Sequence, residues 1–160
     1  MSILLLTTGG SIDKTYSTKS SSFVVGEPQI PGLLQDANAS VDFDLEAILR
    51  KDSLEITEED RQLIVEKVAA SPQRHVIITH GTDTMLDTAR ALGGIRGKVI
   101  VLTGAMRPAA FRETDAVFNV GGAFVAVQLL PEGVYVVMGG KVFHPERARK
   151  NLELDRFEET

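Results

Sequence analysis

Cysteine is absent from the 160 residues, which excludes disulfides and thiolate metal sites and fits a reducing cytoplasm. No apolar run is long enough to span a bilayer, so no membrane partner is expected. The opening MSILLL lacks a basic segment and is too short in its apolar part for a secretory leader, so it reads as a first strand. No basic block is present: 17 Lys and Arg stand against 22 Asp and Glu, a net charge of −5. That balance argues against nucleic acid as the main partner. Internal repeats and low-complexity tracts are also missing. His75, His80 and His144 lack paired metal-ligand spacing, so no metal is expected. TTGGSI, residues 7–12, has neither the G-x-G-x-x-G spacing nor the lysine of a phosphate-binding loop, which makes a nucleotide a poor candidate ligand. These exclusions leave a cytoplasmic protein that works on a small molecule.

What is present is one domain's worth of chain. Hydrophobic residues make up 43% and charged ones 24%, and a chain of this length can bury about 70% of its unfolded surface. The aliphatic runs at 3–6, 76–78, 99–102 and 134–137 are short, mostly β-branched and separated by helix-length segments, which suits a parallel sheet covered on both faces. Residues 41–49 alternate nearly cleanly between apolar and acidic, predicting a strand with one wetter face. Helices are expected after Pro31, after a capping box of Thr57 and Asp60, from a cap at Thr82 or Asp83 to Gly93, and from about Thr114 to Leu130. The small polar run STKSSS, residues 17–22, reads as a mobile loop. Alternating strands and helices predict a single α/β domain: a doubly wound, Rossmann-like, mostly parallel sheet flanked by helices, with its site at the carboxyl ends of the strands.

Four of those ends are polar or glycine-rich: LTTGGSI, THGTDT, LTGAMRP and VMGGKVFHPERARKN. A parallel sheet gathers them on one rim, with Thr8, Thr82, Asp83 and Lys150 among them. A threonine hydroxyl becomes a nucleophile when a neighbouring base takes its proton; a lysine can serve, and a carboxylate can orient the lysine. Thr82, Lys150 and Asp83 can fill these roles. Thr82 and Asp83 equally suit helix capping, Gly9 and Gly10 a tight turn, Tyr16 plain packing and Lys150 a solvated charge. The residues alone leave these readings side by side.

Taken in order, TTGGSID, KDSLEIT, ITHGTDTM, VLTGAMRPA and VVMGGKV followed by Arg149, Lys150 and Asn151 resemble the bacterial-type L-asparaginase family. The resemblance runs along the whole chain and corresponds to that family's amino-terminal domain, residues 1–160, with no counterpart of the carboxy-terminal domain. It implies a short-form L-asparaginase, an amidohydrolase that needs no cofactor and converts L-asparagine to L-aspartate and ammonia through an acyl-enzyme. By the same matching, Thr8 is the threonine nucleophile and Tyr16 its companion on a lid loop over residues 14–26. Thr82, Asp83 and Lys150 form the second catalytic group, while Ser53 and Asp83 bind the substrate's α-carboxylate and α-ammonium. A homo-oligomer is also implied. Leu54 and Ala116 depart from the family pattern, and no motif supplies the carboxylate that the absent domain contributes; Glu158 and Glu159 at the tail are the candidates to replace it. The alternative is a non-catalytic amino-acid-binding or regulatory domain. A role in tRNA-linked amidotransfer is disfavoured by the lack of basic patches.

Overall fold

The computed structural model describes residues 1–160. Its chain order is β1 (Ile3–Gly9), β2 (Lys14–Ser17), β3 (Ser22–Val25), α1 (Ile30–Asp36), β4 (Phe43–Lys51), α2 (Glu58–Ala70), β5 (His75–Thr79) and α3 (Met85–Ala91). It continues with β6 (Val99–Thr103), α4 (Ala116–Leu129), β7 (Gly133–Met138), β8 (Lys141–Phe143), β9 (Ala148–Asn151) and β10 (Arg156–Glu159). Six strands form one sheet in the order β4-β1-β5-β6-β7-β8. All neighbours pair in parallel except β7 with β8. The two remaining pairs, β2–β3 and β9–β10, are antiparallel two-stranded ribbons beside the sheet.

The expected doubly wound α/β domain is therefore what the chain forms. The aliphatic runs are its central strands: β5 and β6 are fully buried from Val76 and Val99 onward, as strands covered on both faces require. One core packs Leu4, Leu6, Val76, Ile78, Ile100 and Leu102 with Ile64 and Val68 of α2 and Met85 and Ala89 of α3. The other packs Ile3, Leu5, Ile77, Val99 and Val101 with Ile30 of α1 and Val120, Phe124 and Val127 of α4. Strand order changes direction at β1, because β4 lies on one side of it and β5 on the other. In an open α/β sheet the crevice at such a switch point is where ligands bind.

Several local expectations are met and others are corrected. The capping box closes as read, with Thr57 Oγ1 accepting from Asp60 N at 3.1 Å and Asp60 Oδ2 from Thr57 N at 2.9 Å. Pro31 sits in the first turn of α1. Thr82 and Asp83, however, do not cap α3: its N-cap is Thr84, and the Thr84 hydroxyl donates across to Ser53 O at 2.7 Å. The two residues are thereby left outside the helix. Residues 17–22 form the tip of the β2–β3 hairpin, with Ser17 and Ser22 as its last pair. Finally, β4 does not keep a clean period of two, since Ile48 and Leu49 both pack on the core while Leu45 is exposed. An edge strand pairs on one side only, so its burial follows the neighbouring loops as much as the pleat.

Candidate active site at the carboxyl ends of β1 and β5

Two glycines make the crevice. Gly10, at φ +84°, brings its backbone so close to Gly81 that a Cβ on Gly10 would lie 2.4 Å from Gly81 N. A Cβ on Gly81 would in turn lie 2.5 Å from Ser53 Cβ. The ends of β1 and β5 and the turn after β4 thus meet at atomic contact that no larger residue permits. Gly10 N–H also donates to Lys51 O at 2.9 Å, tying the first loop to the end of β4.

On this scaffold three candidate residues come together directly. Lys150 Nζ donates to Thr82 Oγ1 and to Asp83 Oδ1, each at 2.8 Å. The lysine reaches the rim from β9, about seventy positions further along the chain. Its ribbon is held by Phe157, which stands opposite Lys150 in register and is buried against Phe143. Arg90 of α3 clamps the base of the ribbon through the carbonyls of Pro145 and Ala148. The Lys150 ammonium is mostly enclosed, with a side chain 14% exposed, whereas Asp83 is 39% exposed and its second oxygen makes no bond in the chain.

Ser53 joins this group. It is buried, its hydroxyl has no hydrogen-bond partner, and it lies on Gly81. Its hydrogen-bonding capacity is therefore unspent, a condition it shares with the buried hydroxyls of Thr7 and Thr79. Thr8 is fully buried and donates to Thr79 O at 2.8 Å, so its proton is directed at the sheet. Tyr16 stands apart: it is 57% exposed and packs edge-on against Phe23, which packs against Phe111. Neither Thr8 nor Tyr16 makes a hydrogen bond to Thr82, Asp83 or Lys150. Glu158 is bound to Arg149 and Arg156. It pairs with Arg149 in register, so it faces away from Lys150 across the ribbon.

Two charged residues at the rim escaped the sequence reading. Lys14 Nζ donates to Asp52 Oδ2 at 3.0 Å, and Asp52 Oδ1 accepts from Leu54 N, capping the short turn that carries Ser53. The Leu54 N–H, the Lys14 ammonium and the field of Lys150 hold the Asp52 carboxyl below its usual range. Charges therefore alternate along the rim from Lys14 through Asp52 and Lys150 to Asp83. The Asp–Ser pair before a turn carried a legible capping signal; Lys14 carried none.

Chemically, the arrangement offers a hydroxyl beside a lysine that a carboxylate orients, which is the set needed to move a proton on or off an attacking oxygen. The Thr82 N–H lies outside helix and strand and has no acceptor in the chain. No group of three or more His, Asp or Glu is placed to hold a metal. A groove of about 820 Å³ beside β8 and β10 is lined by Phe118, Phe143, Arg156 and both tail carboxylates, Glu158 and Glu159, but by none of Thr8, Tyr16, Ser53, Thr82, Asp83 and Lys150.

Comparison with known proteins places the chain by sequence and fold. An L-asparaginase of Thermococcus kodakarensis is 30% identical over 168 residues, covering 99% of this chain and 51% of that protein. The solved structure of the thermostable L-asparaginase from that organism superposes with a TM-score of 0.85 at 29% identity, over 99% of this chain and 51% of the other. The structure of a "probable cytoplasmic L-asparaginase" from Campylobacter jejuni gives a TM-score of 0.80 at 29% identity, over 98% and 52%. The chain spans about half the length of the L-asparaginases it matches. With the asparaginase N-terminal family model matching residues 2–158, the chain belongs to the asparaginase family through that domain.

Proposed function

We propose that the chain carries the chemistry of an L-asparaginase, hydrolysing L-asparagine to L-aspartate and ammonia through a threonine nucleophile. The observation that carries this reading is the Thr82–Lys150–Asp83 cluster, assembled by two 2.8 Å hydrogen bonds from residues distant in sequence. In the first step a threonine oxygen attacks the side-chain amide carbon. Its proton passes to the amide nitrogen, which leaves as ammonia. Water then cleaves the ester, releasing aspartate and restoring the hydroxyl. Thr8 is the proposed nucleophile, which requires its hydroxyl to leave the Thr79 carbonyl when substrate binds. Lys150 and Asp83 manage the proton at Thr82. The unpartnered Ser53 hydroxyl suits the substrate α-carboxylate and the open oxygen of Asp83 its α-ammonium, two fixed points that orient a zwitterion. The relatives named L-asparaginase support the same substrate.

We further propose a cytoplasmic homo-oligomer built on this amino-terminal-type domain. The lack of cysteine and the likeness to the Campylobacter jejuni protein support the location. Exposed apolar side chains on α4 support self-association.

Ammonia release from L-asparagine by the purified chain, with Thr8→Ala and Thr82→Val alongside, tests the reading. Turnover is expected in the parent, with each variant reduced by on the order of a thousandfold if its hydroxyl is essential. A folded parent that releases no ammonia sinks the proposal. Asparagine raising its melting temperature without turnover would instead favour the amino-acid-binding alternative.

A further inference from the structure

His80, the histidine of the HGTDT turn, is fully buried and has no part in the chemistry described above. Its Nδ1 lies 2.8 Å from Gly81 O and its Nε2 lies 2.7 Å from Thr88 Oγ1. Thr88 Oγ1 in turn accepts from Arg61 Nε at 3.2 Å. Arg61 belongs to α2 and is almost buried; its other end pairs with Glu58 at the surface.

The donor and acceptor rules leave one neutral arrangement of this row. A carbonyl oxygen only accepts, so Nδ1 carries the hydrogen and donates to Gly81 O. Nε2 of the neutral ring is then bare and accepts the Thr88 hydroxyl. The Thr88 oxygen keeps a lone pair for Arg61, which as a guanidinium can only donate. A doubly protonated ring would place two donors and two positive groups around the one Thr88 oxygen in a buried setting.

The row ends on a peptide that matters. Gly81 O and Thr82 N–H belong to the same rigid plane and point in opposite directions. Holding the carbonyl on the imidazole therefore turns the Thr82 N–H away from His80 and sets the start of the residue whose hydroxyl bonds Lys150. The His80 backbone is itself immobilised, with its N–H on Thr103 O at 3.0 Å and its carbonyl so close to Gly104 that a Cβ there would approach to 2.3 Å. The ring is thus a fixed prop carried on a fixed backbone.

We propose that His80 is a positioning residue for Thr82: Arg61 and Thr88 hold its imidazole as the Nδ1–H tautomer, and that N–H sets the Gly81–Thr82 peptide in its working orientation. The consequence for turnover rests on the asparaginase reading, while the tautomer and the peptide orientation do not. Two helices on one side of the sheet, α2 and α3, thereby reach the rim through a single row of hydrogen bonds.

Nitrogen-15 spectra of the imidazoles in the full chain test the first half. His80 should show a protonated Nδ1 and a bare Nε2 throughout the neutral range. A bare Nδ1, or a ring that gains charge at the ordinary histidine pH, overturns the proposal. The second half is read with Thr88→Val, which removes the donor to Nε2, and Thr88→Ser, which keeps it. Thr88→Val should lower kcat by roughly tenfold to a hundredfold with KM little changed, since displacement of a positioned group acts on that scale. It should also shift the Thr82 amide resonance, and Thr88→Ser should restore both. An unmoved Thr82 amide in Thr88→Val overturns the positioning role. If the parent chain shows no turnover, the proposed function fails by itself, and the imidazole spectrum and the Thr82 amide still decide the relay. If Thr88→Val does not fold, Arg61→Met provides the second variant: it removes the donor to Thr88 Oγ1 and should shift the Thr82 amide in the same direction, and an unmoved amide there counts against the row.

Discussion

At the residue scale the crevice depends on atoms that are missing. Gly81 has room for a hydrogen and nothing more, because Ser53 occupies the space where a methyl group would go. Gly81→Ala should push the turn carrying Ser53 away from the rim and destabilise the fold by about 1–3 kcal/mol, the usual scale of overpacking. Thermal unfolding should show a melting point lower by several degrees, and asparagine should no longer raise it. A variant that melts with the parent and still responds to asparagine would show that the contact is not needed. Ser53 and Asp83 were legible in the sequence because their neighbours form recognisable strings. Lys14, Thr88 and Arg61 were not, because a lysine, a threonine and an arginine within ordinary helix and strand patterns carry no mark of the partner that folding will bring them.

Among the elements, the β2–β3 hairpin is the one expected to act as a lid. Its base is tied to the rim by Lys14 on Asp52 and by Gly26 N–H on Asp13 O at 2.9 Å. Its outer part shows Tyr16 and Phe23, each at least half exposed, to solvent. If the hairpin closes over the site, the tied base is the hinge and the outer strands are the part that moves. Amide exchange should therefore slow over residues 15–24 when asparagine binds, with little change at residues 13 and 26, which are already bonded. Uniform exchange with and without asparagine would confine Tyr16 to packing. The polar composition of residues 17–22 reads as a loop, and these residues form the hairpin's tip. Its register, Tyr16 opposite Phe23, depends on side-chain pairs across strands that composition does not reveal.

For the molecule as a whole, two buried ionisable groups pull stability in opposite directions with pH. Burial lowers His80 from 6.5 to about 4, with the Arg61 charge adding to the effect and the Gly81 bond opposing it. The unfolded chain takes up a proton below pH 6.5 that the folded one refuses, so stability falls as pH drops from 6.5 towards 4. Burial raises Asp13 from 3.8 to about 6, against the Gln29 N–H and the charge of Arg50. Here the folded chain keeps a proton that the unfolded one releases, so stability falls as pH rises from 3.8 towards 6. Across their shared window the two slopes cancel, and the melting temperature should be nearly level. Asp13→Asn retains an acceptor for Gln29 and removes one slope. It should gain up to about 3 kcal/mol at pH 7 and then melt progressively lower from pH 6.5 to 4. Calorimetry across that range checks this; a variant with the parent's level profile would count against the buried carboxyl. Association belongs to the same scale. Val117, Phe118, Val125 and Leu129 leave α4 apolar on its outer side as well as its inner one. Sedimentation should show more than one copy of the chain, and Val125→Glu with Leu129→Glu should shift it to a monomer. A parent that sediments as a monomer would remove the oligomer from the proposal.

The sequence by itself determined the five parallel strands, the four helices and the rim. Aliphatic runs of strand length can be satisfied only inside a covered sheet, and the polar strings that end them must then lie at its edge. Tertiary structure alone decided what those strings do. It placed Lys150 on Thr82 and Asp83, directed the Thr8 hydroxyl to Thr79, and lined up Arg61, Thr88 and His80 behind the HGTDT turn. Hydrophobic periodicity is a property of neighbours along the chain, so it survives in one dimension. A hydrogen bond between residues tens of positions apart depends on strand order, helix packing and the few tenths of an ångström that Gly10 and Gly81 allow, and these exist only once the chain has folded.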